Sequence, residues 1–154
     1  MTYLIVVGVD GSDGGRRALR WAVDEAAGRG GTVQAVTAWR WDGLDGGFMV
    51  APNPFEEEER SRTLLARAVA EATRGSSAVS VAAEVVEGRP ADVLSVAARG
   101  ADLLVLGSHG HGRLRHTVLG SVSEECVRKA TCPVVVIPVP APAPTGTAVP
   151  ALPG

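Results

Sequence analysis

The sequence predicts an α/β fold: a three-layer sandwich on a five-stranded parallel sheet, in the order βαβαβαβαβ. Three observations carry this. Five short runs, "YLIVVGV" at residues 3–9, then "TVQAVTAW", "VSVAAEVV", "ADLLVLG" and "CPVVVIPV", are apolar and rich in β-branched side chains. They lack in-and-out alternation, as strands covered on both faces do. The segments between them repeat apolar residues at helical spacing, and the connections are too long for hairpins, so right-handed crossovers must join the strands.

The first strand runs into Asp10, and Ser12 or Asp13 supplies the N-cap of a helix whose inward face is Leu19, Ala22, Val23 and Ala26. After the second strand, "RWDGLDGGFMVAPNP" at residues 40–54 is punctuated by Gly and Pro, a loop long enough for a lid or a plain surface connection. The acidic cluster of "FEEEER" suits the positive end of the second helix, which buries Leu65, Ala68, Val69 and Ala72. The third helix opens at Pro90, a first-turn residue, and closes near Gly100. The last begins at Ser121, where Ser-Val-Ser-Glu reads as a capping box with Glu124 reaching back. Residues 1–139 form one domain without internal repeats, and 140–154 form a flexible Pro/Ala-rich tail.

A chain of 154 residues buries a real core without disulfides or structural metal. Its net charge of −2 gives no general attraction to nucleic acid or anionic lipid, so any anion binding must be local. No apolar run reaches the roughly 20 residues of a membrane span, and the N-terminus lacks the basic start of a signal peptide; the expected location is cytoplasmic. Cys126 and Cys132 match neither a CxxC pair nor a zinc spacing and read as reduced thiols.

Ligands of open α/β sheets sit outside the carboxyl ends of the strands, where the strand order reverses. Two ends here carry suitable residues. The first strand enters "GVDGSDGG" with Asp10 at its tip; the fourth enters "GSHGHGRLRHTVLGSVSEE", where Gly107, Gly110 and Gly112 let the chain turn with bare amides ahead of a helix start. Such amides and the helix dipole suit a phosphate.

The spacing Gly107, two residues, Gly110, nine residues, Gly120, Ser121 is G-x2-G-x9-G-S. With "VVGVDGS", "GRPADVLSVAARGADLLVLGSHG" and "LGSVSEECVRKATCPVVVIP", it makes residues 3 to 139 resemble the ATP-binding, single-domain bacterial branch of the universal stress proteins, which have a Rossmann-like fold. The resemblance implies that Gly107, Gly110 and Gly120 lie along ribose and phosphates and that Ser121 and Ser123, with Val122 between them, donate to phosphate oxygens. It implies that Asp10 sits over the ribose and phosphate side, that Gly8 and Val9 line the adenine edge by backbone, and that Val36 and Leu106 flank adenine. His109 matches a position close to the phosphates. His111 departs from the always-charged side chain many relatives carry there. Arg113 and Arg115 are candidate phosphate contacts or a solvated loop face. A metal cage from His109, His111 and His116 is disfavoured, whereas Mg2+ riding on ATP with Asp10 as near ligand fits better.

Three function classes then compete. One is a regulatory stress-response protein binding ATP, with cyclic AMP as the alternative ligand. Another is a slow ATP-hydrolysing or adenylate-forming enzyme, which is the weaker reading because no Walker lysine follows the glycines and "DGSDGG" is not the SGGxDS order of ATP pyrophosphatases. The third, a dimer whose loop no longer binds nucleotide, is disfavoured by the intact glycines. No catalytic residue is assigned. The last strand, Val134, Val135, Val136 and Ile137, is expected at a sheet edge, and the resemblance implies a homodimer formed by pairing it with its copy, limited by Pro138.

Overall fold

A computed structural model describes residues 2–41, 53–75, 78–110 and 119–140. The elements alternate as β1 (Leu4–Gly8), α1 (Asp13–Arg29), β2 (Thr32–Trp39), α2 (Pro54–Ala72), β3 (Val81–Glu87), α3 (Pro90–Ala97), β4 (Leu103–Gly107), α4 (Ser121–Lys129) and β5 (Val134–Ile137). All strand pairs are parallel and the order is β3-β2-β1-β4-β5. The chain winds outward from β1 to β3, returns to lay β4 beside β1, and winds the other way. The reversal falls between β1 and β4, and β5 is an edge strand as expected.

Successive side chains of a strand point to opposite faces, which explains the unbroken apolar runs of the central strands. Ile5, Val7, Leu103 and Val105 pack with Leu19, Ala22 and Val23 of α1 and Leu65 of α2. Val6, Leu104 and Leu106 turn the other way, onto Ala91 and Leu94 of α3 and Cys126 of α4. The run at β3 has a different meaning: Ala82, Ala83 and Glu84 are exposed, because β3 lies on the other edge and is not fully covered.

Ser12 is the N-cap of α1, its hydroxyl accepting from the Gly15 amide at 3.1 Å, and Gly30 closes the helix at φ +65°. Asn53 caps α2 by accepting from Glu56 at 2.9 Å, with Pro54 in the first turn. Residues 42–52, most of the loop considered as a lid, lie outside the described residues, as do 141–154 of the tail.

Both cysteines are free thiols. Cys126 is fully buried, and desolvation pushes its pKa up to about 11; burial also raises that of Cys132. The reactive thiolate is therefore scarce at Cys126 in the native protein. At pH 8, Cys126 should react with a thiol reagent at least about tenfold more slowly in the native than in the denatured protein. Equal rates in native and denatured protein would contradict the burial.

Candidate functional site

A cleft of about 400 Å3 opens at the carboxyl ends of the strands, at the reversal between β1 and β4. That volume suits a small organic ligand. The end of β1 contributes Gly8, Val9 and Asp10; β2 contributes Val36 and Ala38; β4 and its loop contribute Leu106, Gly107, His109 and Gly110; and the start of α4 contributes Gly120, Ser121, Val122, Ser123 and Glu124. All twelve residues expected from the sequence thus border one cleft. His111, Gly112, Arg113, Arg115 and His116 lie outside the described residues.

The two glycine-bearing loops meet on Asp10. Its Oδ1 accepts from the Ser12 amide at 2.9 Å and from the Ser12 hydroxyl, so the first turn of α1 holds the carboxylate in place. Its other oxygen faces Gly110, where a Cβ would lie only 2.6 Å from Oδ2. Among the described residues positive φ is confined to Gly11, Gly30, Gly75, Gly88 and Gly100. Gly107, Gly110 and Gly120 are therefore required for space rather than for an unusual turn. A Cβ on Gly107 would meet the Gly14 backbone at 2.8 to 3.0 Å, and one on Gly14 would meet the His109 carbonyl at 2.6 Å. Glycine at both places lets α1 start against the end of β4.

The expected capping box at Ser121 is not formed. Gly120 is the N-cap and Ser121 the first helical residue, so Glu124 stands one position too far along to close a box. The Glu124 amide instead donates to the Gly120 carbonyl at 2.9 Å, and its side chain borders the cleft. The helix start carries no side-chain cap, and its first amides have no acceptor within the helix. Ser123 is buried, and its hydroxyl donates to the Gly107 carbonyl at 2.6 Å, tying α4 to β4. What it can offer a ligand is its amide. Ser121, by contrast, is exposed at the cleft.

On the apolar side, Val36 is fully buried beside Gly8, its register partner. The Val9 amide donates to the Val36 carbonyl at 2.9 Å, and the Val9 carbonyl accepts from the Thr37 hydroxyl at 2.8 Å. These bonds fix the strand ends that form the floor. His109 Nδ1 lies 3.0 Å from the Ser108 hydroxyl.

Sequence reasoning missed Ala38, Pro90, Leu94, Leu119, Ser12, Gly15 and Glu124 as cleft residues. Ala38 was within reach of strand periodicity, since it lies two residues beyond Val36 on the same face. Pro90 and Leu94 enter only because the chain reversal lays α3 over the cleft.

Outside the cleft, α3 and α4 are joined by a ring of charges. Arg89 contacts Glu125 at 3.1 Å and Asp92 at 3.3 Å; Lys129 contacts Asp92 at 2.8 Å and Glu125 at 3.7 Å. The Lys129 hydrogen bond lowers the Asp92 pKa, and hydrogen bonds to Asp92 and Glu125 raise those of Lys129 and Arg89 respectively. Lying at the surface, these pairs add little to the stability of the fold.

A doubly wound parallel sheet with a glycine-walled cleft at its reversal defines the Rossmann-like class of α/β domains. Within that class the chain belongs to the universal stress protein family, whose family model matches residues 1–138. A universal stress protein of Mycolicibacterium smegmatis is 36% identical over 135 residues, which cover 86% of this chain and 45% of that protein. The chain spans about half the length of the curated relatives it matches. A crystal structure of a universal stress protein in complex with cAMP superposes with a TM-score of 0.65 at 28% identity, covering 88% of this chain and 95% of that one. The universal stress protein of Archaeoglobus fulgidus in complex with dAMP gives 0.62 at 25% identity, covering 89% and 98%.

Proposed function

We propose that the cleft binds an adenine nucleotide and that the protein is a nucleotide-dependent regulator of the stress response rather than a dedicated enzyme. The observation that carries this is the convergence, at the reversal of the sheet, of Gly107, Gly110 and Gly120 with the uncapped start of α4 and the apolar wall of Val36 and Leu106. Bare amides and a helix dipole offer an anion site, and the apolar wall offers a slot for a flat base. The adenine monophosphates held by the two relatives above support the same reading. ATP is the ligand we favour, with cyclic AMP as the alternative. Among the described residues no group of three or more His, Cys, Asp or Glu side chains is placed to hold a metal ion. A Mg2+ ion accompanying ATP would therefore take most of its ligands from phosphate and water, with Asp10 at hand.

Calorimetric titration with ATP and Mg2+, then with cyclic AMP, tests this, with ADP assayed in the ATP sample over hours. Saturable binding without appreciable ADP is expected. Steady turnover would move the protein to the enzyme class, and no binding of either nucleotide would refute the reading.

We further propose a homodimer through the open edge of β5, Val134 to Ile137, in a cytoplasmic protein. The described residues contain no helix long and apolar enough to cross a membrane. Val135 and Ile137 also pack against the core beside α1, so a charge there would disturb the monomer. Val136, half-buried in the same strand and packed in neither core cluster, makes the cleaner test. Val136→Lys should weaken dimerisation by about tenfold, read by sedimentation equilibrium, through like charges brought close together where the two copies of the strand pair. An unchanged dimer constant would place the interface elsewhere.

A further inference from the structure

Glu124 is the residue of α4 whose expected role the fold does not use. The capping box that would have employed its carboxylate is absent, and the side chain, exposed at the cleft border, has no hydrogen-bond or ion-pair partner among the described residues. Its neighbour Glu125 differs in both respects: it faces α3 and is paired with Arg89 and Lys129. The α3–α4 charges balance among themselves, two cations against two carboxylates, and Glu124 is the acid left over on the cleft side. Asp10 is the other carboxylate bordering the cleft, and no Lys or Arg joins them among the described residues.

We propose that Glu124 sets the charge selectivity of the cleft, opposing metal-free polyphosphates and leaving singly charged or cation-neutralised adenine nucleotides as the ligands that bind well. This deepens the adenine-nucleotide reading and rests on it. The amides at the start of α4 attract phosphate at short range, where geometry limits them to the few oxygens that reach them. The carboxylate repels the whole phosphate chain through the longer-ranged Coulomb interaction. Adenosine, without phosphate, pays no such penalty; cyclic AMP carries a single negative charge; metal-free ATP meets the full repulsion. A divalent cation on the triphosphate cancels much of it and gives Glu124 an opposite charge to face. Arg113 and Arg115 lie outside the described residues, but the effect of deleting one carboxylate is a difference between two proteins that both contain them.

The test is calorimetry on the full chain with adenosine, cyclic AMP, ATP in the presence of a chelator, and ATP with Mg2+, comparing wild type, Glu124→Gln and Glu125→Gln. Glu124→Gln should tighten metal-free ATP by about fivefold at low salt, and leave adenosine within about twofold. The gain should shrink when Mg2+ is present or when salt is raised to about 0.5 M, where screening is nearly complete. Glu125→Gln removes the same formal charge from a residue that faces α3 and does not border the cleft, and should shift the ATP-to-adenosine ratio by less than about twofold. An unaltered ratio in Glu124→Gln, or an equal change in Glu125→Gln, overturns the assignment while leaving nucleotide binding intact. Failure of the wild type to bind any of the four ligands overturns the nucleotide reading itself, and the selectivity with it.

Discussion

Gly110→Val should weaken adenine-nucleotide binding at least about 100-fold, roughly 3 kcal/mol, while the unliganded protein keeps its melting temperature within about 2 °C. The cause is local. A Cβ at Gly110 falls 2.6 Å from Asp10 Oδ2, and the carboxylate cannot simply withdraw, because Ser12 holds its other oxygen by both amide and hydroxyl. The valine must therefore displace the loop or enter the cleft, and either move takes space from the ligand. Gly110 itself is exposed and has no positive φ, so the change disturbs little of the apo fold. Titration calorimetry and thermal melting of the same preparation check both halves. Binding retained within tenfold would mean that this cleft is not where the nucleotide goes.

Gly107→Ala should do the reverse and act first on stability. Its new methyl would meet Gly14 C, O and Cα at 2.8, 2.9 and 3.0 Å, and all three atoms belong to the backbone of α1. Backbone does not step aside as a flexible side chain does. Relief requires α1 to move off the end of β4, loosening a junction that includes the Ser123 bond to the Gly107 carbonyl. Overpacking of this kind costs about 1–3 kcal/mol, which in a domain of this size lowers the melting temperature by about 2–10 °C without any ligand present. Nucleotide affinity should fall as a consequence. An apo melting temperature equal to that of the wild type would show that the two backbones can part freely, and would return Gly107 to a role in ligand contact alone.

The contrast between these two glycines is where sequence and structure part company. Their spacing in the motif marks both as special, and the resemblance assigns both to ribose and phosphates. Spacing cannot say what each glycine makes room for. For Gly110 it is the carboxylate of another loop, and for Gly107 the backbone of a helix whose first turn lies more than ninety positions away in the chain. The missed capping box has a similar origin. Ser121 and Glu124 stand at the correct separation, but the Gly120 amide is drawn to the Ser108 carbonyl at 2.6 Å, and the helix starts one residue early. A local motif yielded to a tertiary hydrogen bond.

The fold class, the order of elements and the edge position of β5 were legible in the sequence, because burial on both faces writes itself into the chain as unbroken apolar runs and helices as a period near 3.6. Strand ends and glycine loops pointed by themselves to Asp10, Gly107 and Gly110; the rest of the twelve residues now found around one cleft came from the family resemblance. Only the tertiary structure decided that Pro90 and Leu94 form a wall of that cleft, that Ser123 spends its hydroxyl on β4, and that β3 lies at an exposed edge. It also separated Glu124, at the cleft and without a partner among the described residues, from Glu125, paired away from it. The physical reason is common to all four: each depends on which groups from distant parts of the chain come within a few ångströms, and distances across a fold are set by packing and strand order, not by neighbours in sequence.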